Sequence, residues 1–233
     1  MKIIFLTIWC LVPLGLVAFH YGPGQTGVAL DHTASHLDDA QSAAAAENWP
    51  AAIAAYEKAL ASLPKDRVSE ARKIRLELAK ARMLSSGLPE ARTELEALAN
   101  EMESDSSSDP EVRDDAIAAL ASSRFYMTYL MKLEGLPDAE WEPEIEAARQ
   151  ERKLLVERAQ ASGDTKAATV HADDLESAIR LARMDPADLY GLPIPKQCNC
   201  KSGKCNNPSP KTGKKSEDAR GASAGPPIDG EGS

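Results

Sequence analysis

Residues 46–64 limit the fold more than any other stretch, and they read Ala-Glu-Asn-Trp-Pro-Ala-Ala-Ile-Ala-Ala-Tyr-Glu-Lys-Ala-Leu-Ala-Ser-Leu-Pro. Glu47 and Asn48 form a turn, and Pro50 falls near the first position of a helix, where a missing N–H costs nothing. Ala52, Ile53, Tyr56, Ala59, Leu60 and Leu63 then recur at helical spacing until Pro64 stops the run. Alanine is abundant and aromatics make up only 5% of the chain. That balance suits helices packed closely through small residues and suits a β-sandwich poorly.

The same spacing continues on both sides. A helix over about 30–46 puts Leu30, Ala34, Leu37, Ala40 and Ala44 on one face and makes a hairpin with the first. A second pair is expected over about 67–86 and 89–103, joined at Gly87-Leu88-Pro89, with Ala91, Leu95 and Leu98 repeating the earlier rhythm. After the polar loop 104–108, Asp109 and Pro110 supply an N-cap and a first helical residue. The next helix runs to about 134 and ends at Gly135, suited to a left-handed cap. Helices over about 138–161 and 164–183 follow, separated by Gly163. From Asp185 the periodicity stops, and the Pro-, Gly- and Lys-rich tail 185–233 is expected to be disordered beyond Gln197. Leu189, Tyr190, Leu192 and Ile194 are expected to lie back on the last helix.

The 46–64 helix resembles the second helix of a tetratricopeptide (TPR) repeat. Ala52, Tyr56, Ala59 and Pro64 fall on that family's Ala, aromatic, Ala and Pro positions. Counting back from Pro64 places His36, Asp39 and Ala40 where the family has Trp, Leu and Gly. The rhythm of the second pair arrives 39 residues after the first, against a family period of about 34. The resemblance is thus to a degenerate, membrane-anchored bacterial TPR protein. It implies an all-α, short TPR-like solenoid of about seven helices over 30–184, with the last helix as a cap. It also implies a non-catalytic adaptor that holds a protein or peptide in an envelope-associated complex.

The N-terminus carries a targeting signal. Residues 3–19 contain no charge and follow Lys2. Their length lies at the lower end of a membrane-spanning helix, and no A-x-A cleavage site follows. We therefore read 1–21 as a signal-anchor and 22–29 as a flexible neck. The alternative is a cleaved secretory signal. Lys2 predicts an N-in orientation, with the helical domain on the extracytoplasmic side of the inner membrane, or secreted after cleavage. Lys2 contributes one positive charge and 186–233 a net two, so the total of −9 leaves −12 on residues 21–185. A body this acidic argues against nucleic acid as a partner.

Few residues carry chemistry. Cys198, Cys200 and Cys205 are soft ligands for a metal, and Lys201 and Lys204 favour their thiolates. A closed zinc site needs four ligands, so a disulfide, a metal half-site and redox work all remain readings of this cluster. His32, His36 and Asp39 share a helix face and form a second metal half-site, or a partly exposed surface, or His36 fills a core position. Tyr126 and Tyr129 belong to the aromatic and Met stretch 125–131, which is either core or a partner groove. Lys73 and Lys80 are placed to hold a partner's carboxylate, or are solvated charge. The segment 196–215 has six Lys and no acid, a solubilising tail or a contact for anionic lipid or an acidic partner. There is no phosphate loop, G-x-S-x-G or H-E-x-x-H, and no cofactor is expected. Two other classes stand beside the adaptor: a metal or thiol protein acting through the tail cysteines, and a purely structural envelope component.

Overall fold

The computed structural model describes residues 23–190 and 192, together with Trp9. Every regular element among them is an α-helix. In chain order these are α1 (Pro23–Ala45), α2 (Trp49–Ser62), α3 (Val68–Met83), α4 (Leu88–Ser104), α5 (Pro110–Leu133), α6 (Asp138–Ser162), α7 (Thr165–Arg183) and a single turn, α8 (Pro186–Leu189).

Local chemistry sets the boundaries. Asn48 caps α2 through its side chain, Asp109 caps α5 by accepting from Glu111 N at 3.1 Å, and Asp164 caps α7 by accepting from Ala167 N at 2.9 Å. Gly135 and Gly163, at φ of 72° and 79°, take the left-handed conformation that closes α5 and α6. One boundary departs from expectation. Helix α1 begins at Pro23, inside the segment read as a flexible neck. Pro23 starts the helix with a φ already suited to it, and Gly24 and Gly27 weaken it without breaking it. The eighth helix was not expected either. It forms because Asp185 caps a turn whose Leu189 has somewhere to go.

Helices pack in the order of the chain. Each of α1 to α6 lies against the next, while α3 also meets α5 and α8 meets α5. The core follows the same order in three groups. Ala40 of α1, Ala52, Tyr56 and Ala59 of α2, and Ile74, Leu78 and Ala81 of α3 form the first. The largest runs through α3 to α6 and includes Met83, Leu95, Leu98, Met102, Ile117, Leu120 and Leu155. The third joins Tyr129, Trp141, Ile145, Ala178, Leu181 and Leu189. Each fully buried Leu or Met contributes about 1.5–3 kcal/mol, so these groups rather than helix propensity hold the array.

Among the described residues no helix is long and apolar enough to cross a membrane. Apart from Trp9, the segment 3–19 lies outside them, as do Cys198, Cys200, Cys205 and the basic stretch 196–215.

Candidate partner-binding site

Within the aromatic stretch of α5, Tyr126 and Tyr129 are buried, Phe125, Met127 and Met131 are half-buried, and Leu130 is exposed. Tyr126 belongs to the largest apolar group and meets Phe125 edge-on at 5.6 Å between ring centres. Tyr129 is buried in the third group, three residues further along the helix. Neither ring is offered to solvent in this arrangement of helices. Helical spacing places them inward, and α6 and α7 then cover Tyr129.

Lys73 and Lys80 lie one above the other on α3, facing α5. Their fates differ. Lys80 is 6% exposed, and its ammonium donates to Asp115 Oδ2 at 2.7 Å and Glu77 Oε1 at 3.1 Å. Burial opposes its charge, yet the two carboxylates more than offset this and raise its pKa. It is therefore a structural tie between α3 and α5 rather than a contact for a partner. Lys73 is exposed and reaches Asp109 at 3.4 Å across the same seam. Of the two lysines, this is the one within a partner's reach.

Beside Lys73 opens a cleft of about 490 Å³ between the α2–α3 turn and the α4–α5 loop. Met102 and Val112 form its apolar floor, and Val68, 50% exposed, stands on its rim. Arg72 forms a wall. It donates to Glu101 at 2.8 Å, Asp105 at 2.7 Å and Ser108 at 3.2 Å, and so fixes the loop against α3. Asp105 in turn accepts from the Ser107 hydroxyl and backbone N–H, and these bonds with Arg72 hold its pKa down to about 2. Arg67 and Glu70 pair at 3.2 Å on the opposite rim. The cleft offers an apolar floor, fixed charges of both signs and an exposed apolar edge.

A second groove, of about 440 Å³, lies over α2, α3 and α4, where Leu60, Leu78 and Ala97 are flanked by Arg82 bridging Glu57 and Glu94.

The densest charge lies under the surface between α4, α5 and α6. Arg124 is buried, donates to Glu96 at 2.7 Å and Glu144 at 3.4 Å, and places Nε 3.1 Å from Glu151. Arg92 clamps Glu144 from α4 with two hydrogen bonds, at 3.1 and 2.6 Å. Burial pushes the Glu151 pKa up to about 7 against the pull of Arg124 and Arg152, and its Oε2 has no hydrogen-bond partner. His171, packed against Arg152 at 3.3 Å, is pushed below its ordinary value by burial and by that arginine.

Sequence reading missed Arg72, Val68 and Met102, because the cleft joins two loops distant in the chain. On α1, His32 and Asp39 are exposed and His36 is half-buried. Among the described residues no group of three or more His, Cys, Asp or Glu side chains is placed to hold a metal ion. No family model matches the chain, and no curated protein or solved structure matches it.

Proposed function

We propose that this chain is a non-catalytic adaptor, a short TPR-like solenoid that holds a protein or peptide partner beside Lys73. The observation that carries this reading is the cleft between the α2–α3 turn and the α4–α5 loop, with its apolar floor at Met102 and Val112 and its exposed Val68. Hairpins packed in chain order support the solenoid, because such arrays expose long surfaces on which partners lie. The uncharged run 3–19 supports a tether to a membrane, with the helical domain on the extracytoplasmic side. The net −12 of residues 21–185 favours a partner with exposed basic groups.

The test is a crosslinking pull-down from membranes with the wild-type chain, Val68→Asp, Lys73→Ala and, as a control, Lys166→Ala on the exposed face of α7. One dominant partner is expected, with recovery reduced about tenfold by Val68→Asp or Lys73→Ala and unchanged by Lys166→Ala; tenfold corresponds to about 1.4 kcal/mol. Equal recovery by all four chains removes the cleft from the interface. Absence of any dominant partner sinks the adaptor reading itself.

A further inference from the structure

The corner where α5, α6 and α7 meet holds a second site, and the chain fills it itself. Tyr129, Trp141, Ile145, Ala178 and Leu181 form an apolar pocket, and Leu189 of α8 enters it until 1% of its surface remains exposed. Beside the pocket, Lys132 is 2% exposed, with Nζ 3.7 Å from the centre of the Trp141 ring and 3.4 Å from the Ala182 carbonyl. No described carboxylate is ion-paired with this ammonium, although Asp138, Asp185 and Glu142 lie near enough to favour its charge against burial. The hydroxyl of Tyr129 is buried with no hydrogen-bond partner. The Tyr129 hydroxyl thus lacks any hydrogen-bond partner, while the Lys132 ammonium donates to the Ala182 carbonyl and stacks over Trp141 but lacks the paired carboxylate that a buried ammonium ordinarily has.

The segment over the pocket is lightly held. Pro186, Ala187 and Asp188 are exposed, and Tyr190 is 65% exposed with a single hydrogen bond from its hydroxyl to the Leu133 carbonyl at 3.2 Å. One buried leucine, one exposed hydrogen bond to α5 and the turn's own local bonds (Ala187 N to Asp185 Oδ1 at 3.2 Å, Asp188 N to the Asp185 carbonyl at 2.9 Å, Leu192 N to the Leu189 carbonyl at 3.2 Å) do not offset the chain entropy of ordering six residues by a wide margin. The strap is therefore poised to open.

We propose that this pocket is a binding site for a short acidic peptide bearing a leucine, and that Asp185–Tyr190 is an internal copy of such a ligand. The leucine fills the apolar pocket. The incoming acid reaches Lys132, which the strap approaches with Asp185 but does not pair. Binding requires the strap to leave, so the chain regulates its own site. The inference rests on the adaptor reading and adds a second, self-occupied site to it.

The test uses the full chain in detergent and a fluorescein-labelled peptide of sequence Met-Asp-Pro-Ala-Asp-Leu-Tyr-Gly-Leu, copied from residues 184–192. Fluorescence anisotropy is expected to show Leu189→Ala binding it about tenfold tighter than wild type, as for a site open about a tenth of the time. Adding Lys132→Met to Leu189→Ala, or using a peptide with Ala at its leucine position, is expected to weaken binding about tenfold. Equal binding by wild type and Leu189→Ala, or no binding by either while circular dichroism shows both folded, overturns the proposal. Should Leu189→Ala lose helicity, Tyr190→Phe removes only the exposed hydrogen bond and is expected to tighten binding about twofold. No gain there overturns it equally. If the peptide fails while a partner dependent on Val68 is still recovered, this pocket falls and the adaptor reading stands.

Discussion

Glu47 holds a φ of 55°, in the region that glycine enters freely and other residues enter at a cost. It does so to close α1. Asn48 N donates to the Ala43 carbonyl at 2.9 Å and Glu47 N to the Ala44 carbonyl at 3.0 Å, the paired bonds that end a helix at a left-handed residue. Glu47→Gly should therefore stabilise the chain by about 0.5–1 kcal/mol, while Glu47→Ala, which keeps its Cβ, should not. Thermal melting of the two variants decides; equal midpoints would mean the turn is not strained. Glu151 makes the opposite kind of case. Its pKa rises from 4.5 to about 7 on folding, so the ionised form is the one the fold disfavours. The stability this group allows is complete below the unfolded value and is lost as pH climbs through the folded one. Between pH 4.5 and 7 the loss reaches up to about 3 kcal/mol. Glu151→Gln should lack that dependence, and urea midpoints at pH 5 and pH 8 test it; parallel shifts in both proteins would sink the idea. The two residues also differ in legibility. A turn at Glu47 is plain from the residues around it, whereas Glu151 stands among other charged residues of α6 and only the fold places it beside Arg124 of α5.

Helix ends were legible because Pro50, Pro110, Gly135 and Gly163 act on their own neighbours. The buried faces of α2 and α4 were legible for the same reason. Ala52, Tyr56 and Ala59, and later Ala91, Leu95 and Leu98, lie inward as their spacing requires. What spacing cannot supply is the identity of the partner across an interface. The charged residues of α3 to α6 look like solvated faces in sequence, yet many tie one helix to another. Arg72 crosses to α4 and its following loop, Lys80 to α5, and Arg158 to Glu103 and Asp114. Their worth depends on burial. Arg124→Ala leaves Glu96, Glu144 and Glu151 without their shared cation and should cost about 3–5 kcal/mol. Arg180→Ala removes an exposed pair with Glu176 within one helix and should cost no more than about 0.5 kcal/mol. Chemical denaturation of both variants measures the contrast. Similar losses would show that the α4–α6 cluster is wetter and weaker than its geometry implies.

An array packed in chain order is not equally stable along its length, because its ends rest on one neighbour and its middle on two. Here the largest apolar group spans α3 to α6, while the groups at either end share only part of their helices with it. The first group is also built largely of alanine, which buries little area per residue and leaves Tyr56 as its one buried ring, with Trp49 packed half-buried against it. Local opening should follow this gradient. Under mild denaturant, amides of α4 and α5 should exchange at least about tenfold more slowly than those of α1 and α8, a gap of about 1.4 kcal/mol. Tyr56→Ala sharpens the test. It should cost about 3–5 kcal/mol locally and speed exchange through α1 to α3, while amides of α6 and α7 change less. Uniform acceleration along the whole chain would mean a single cooperative unit, in which the three apolar groups act as one core. A gradient would mean that the α1–α2 hairpin opens by itself, so that the turn leading into Val68 moves while the Met102 and Val112 floor of the cleft stays in place.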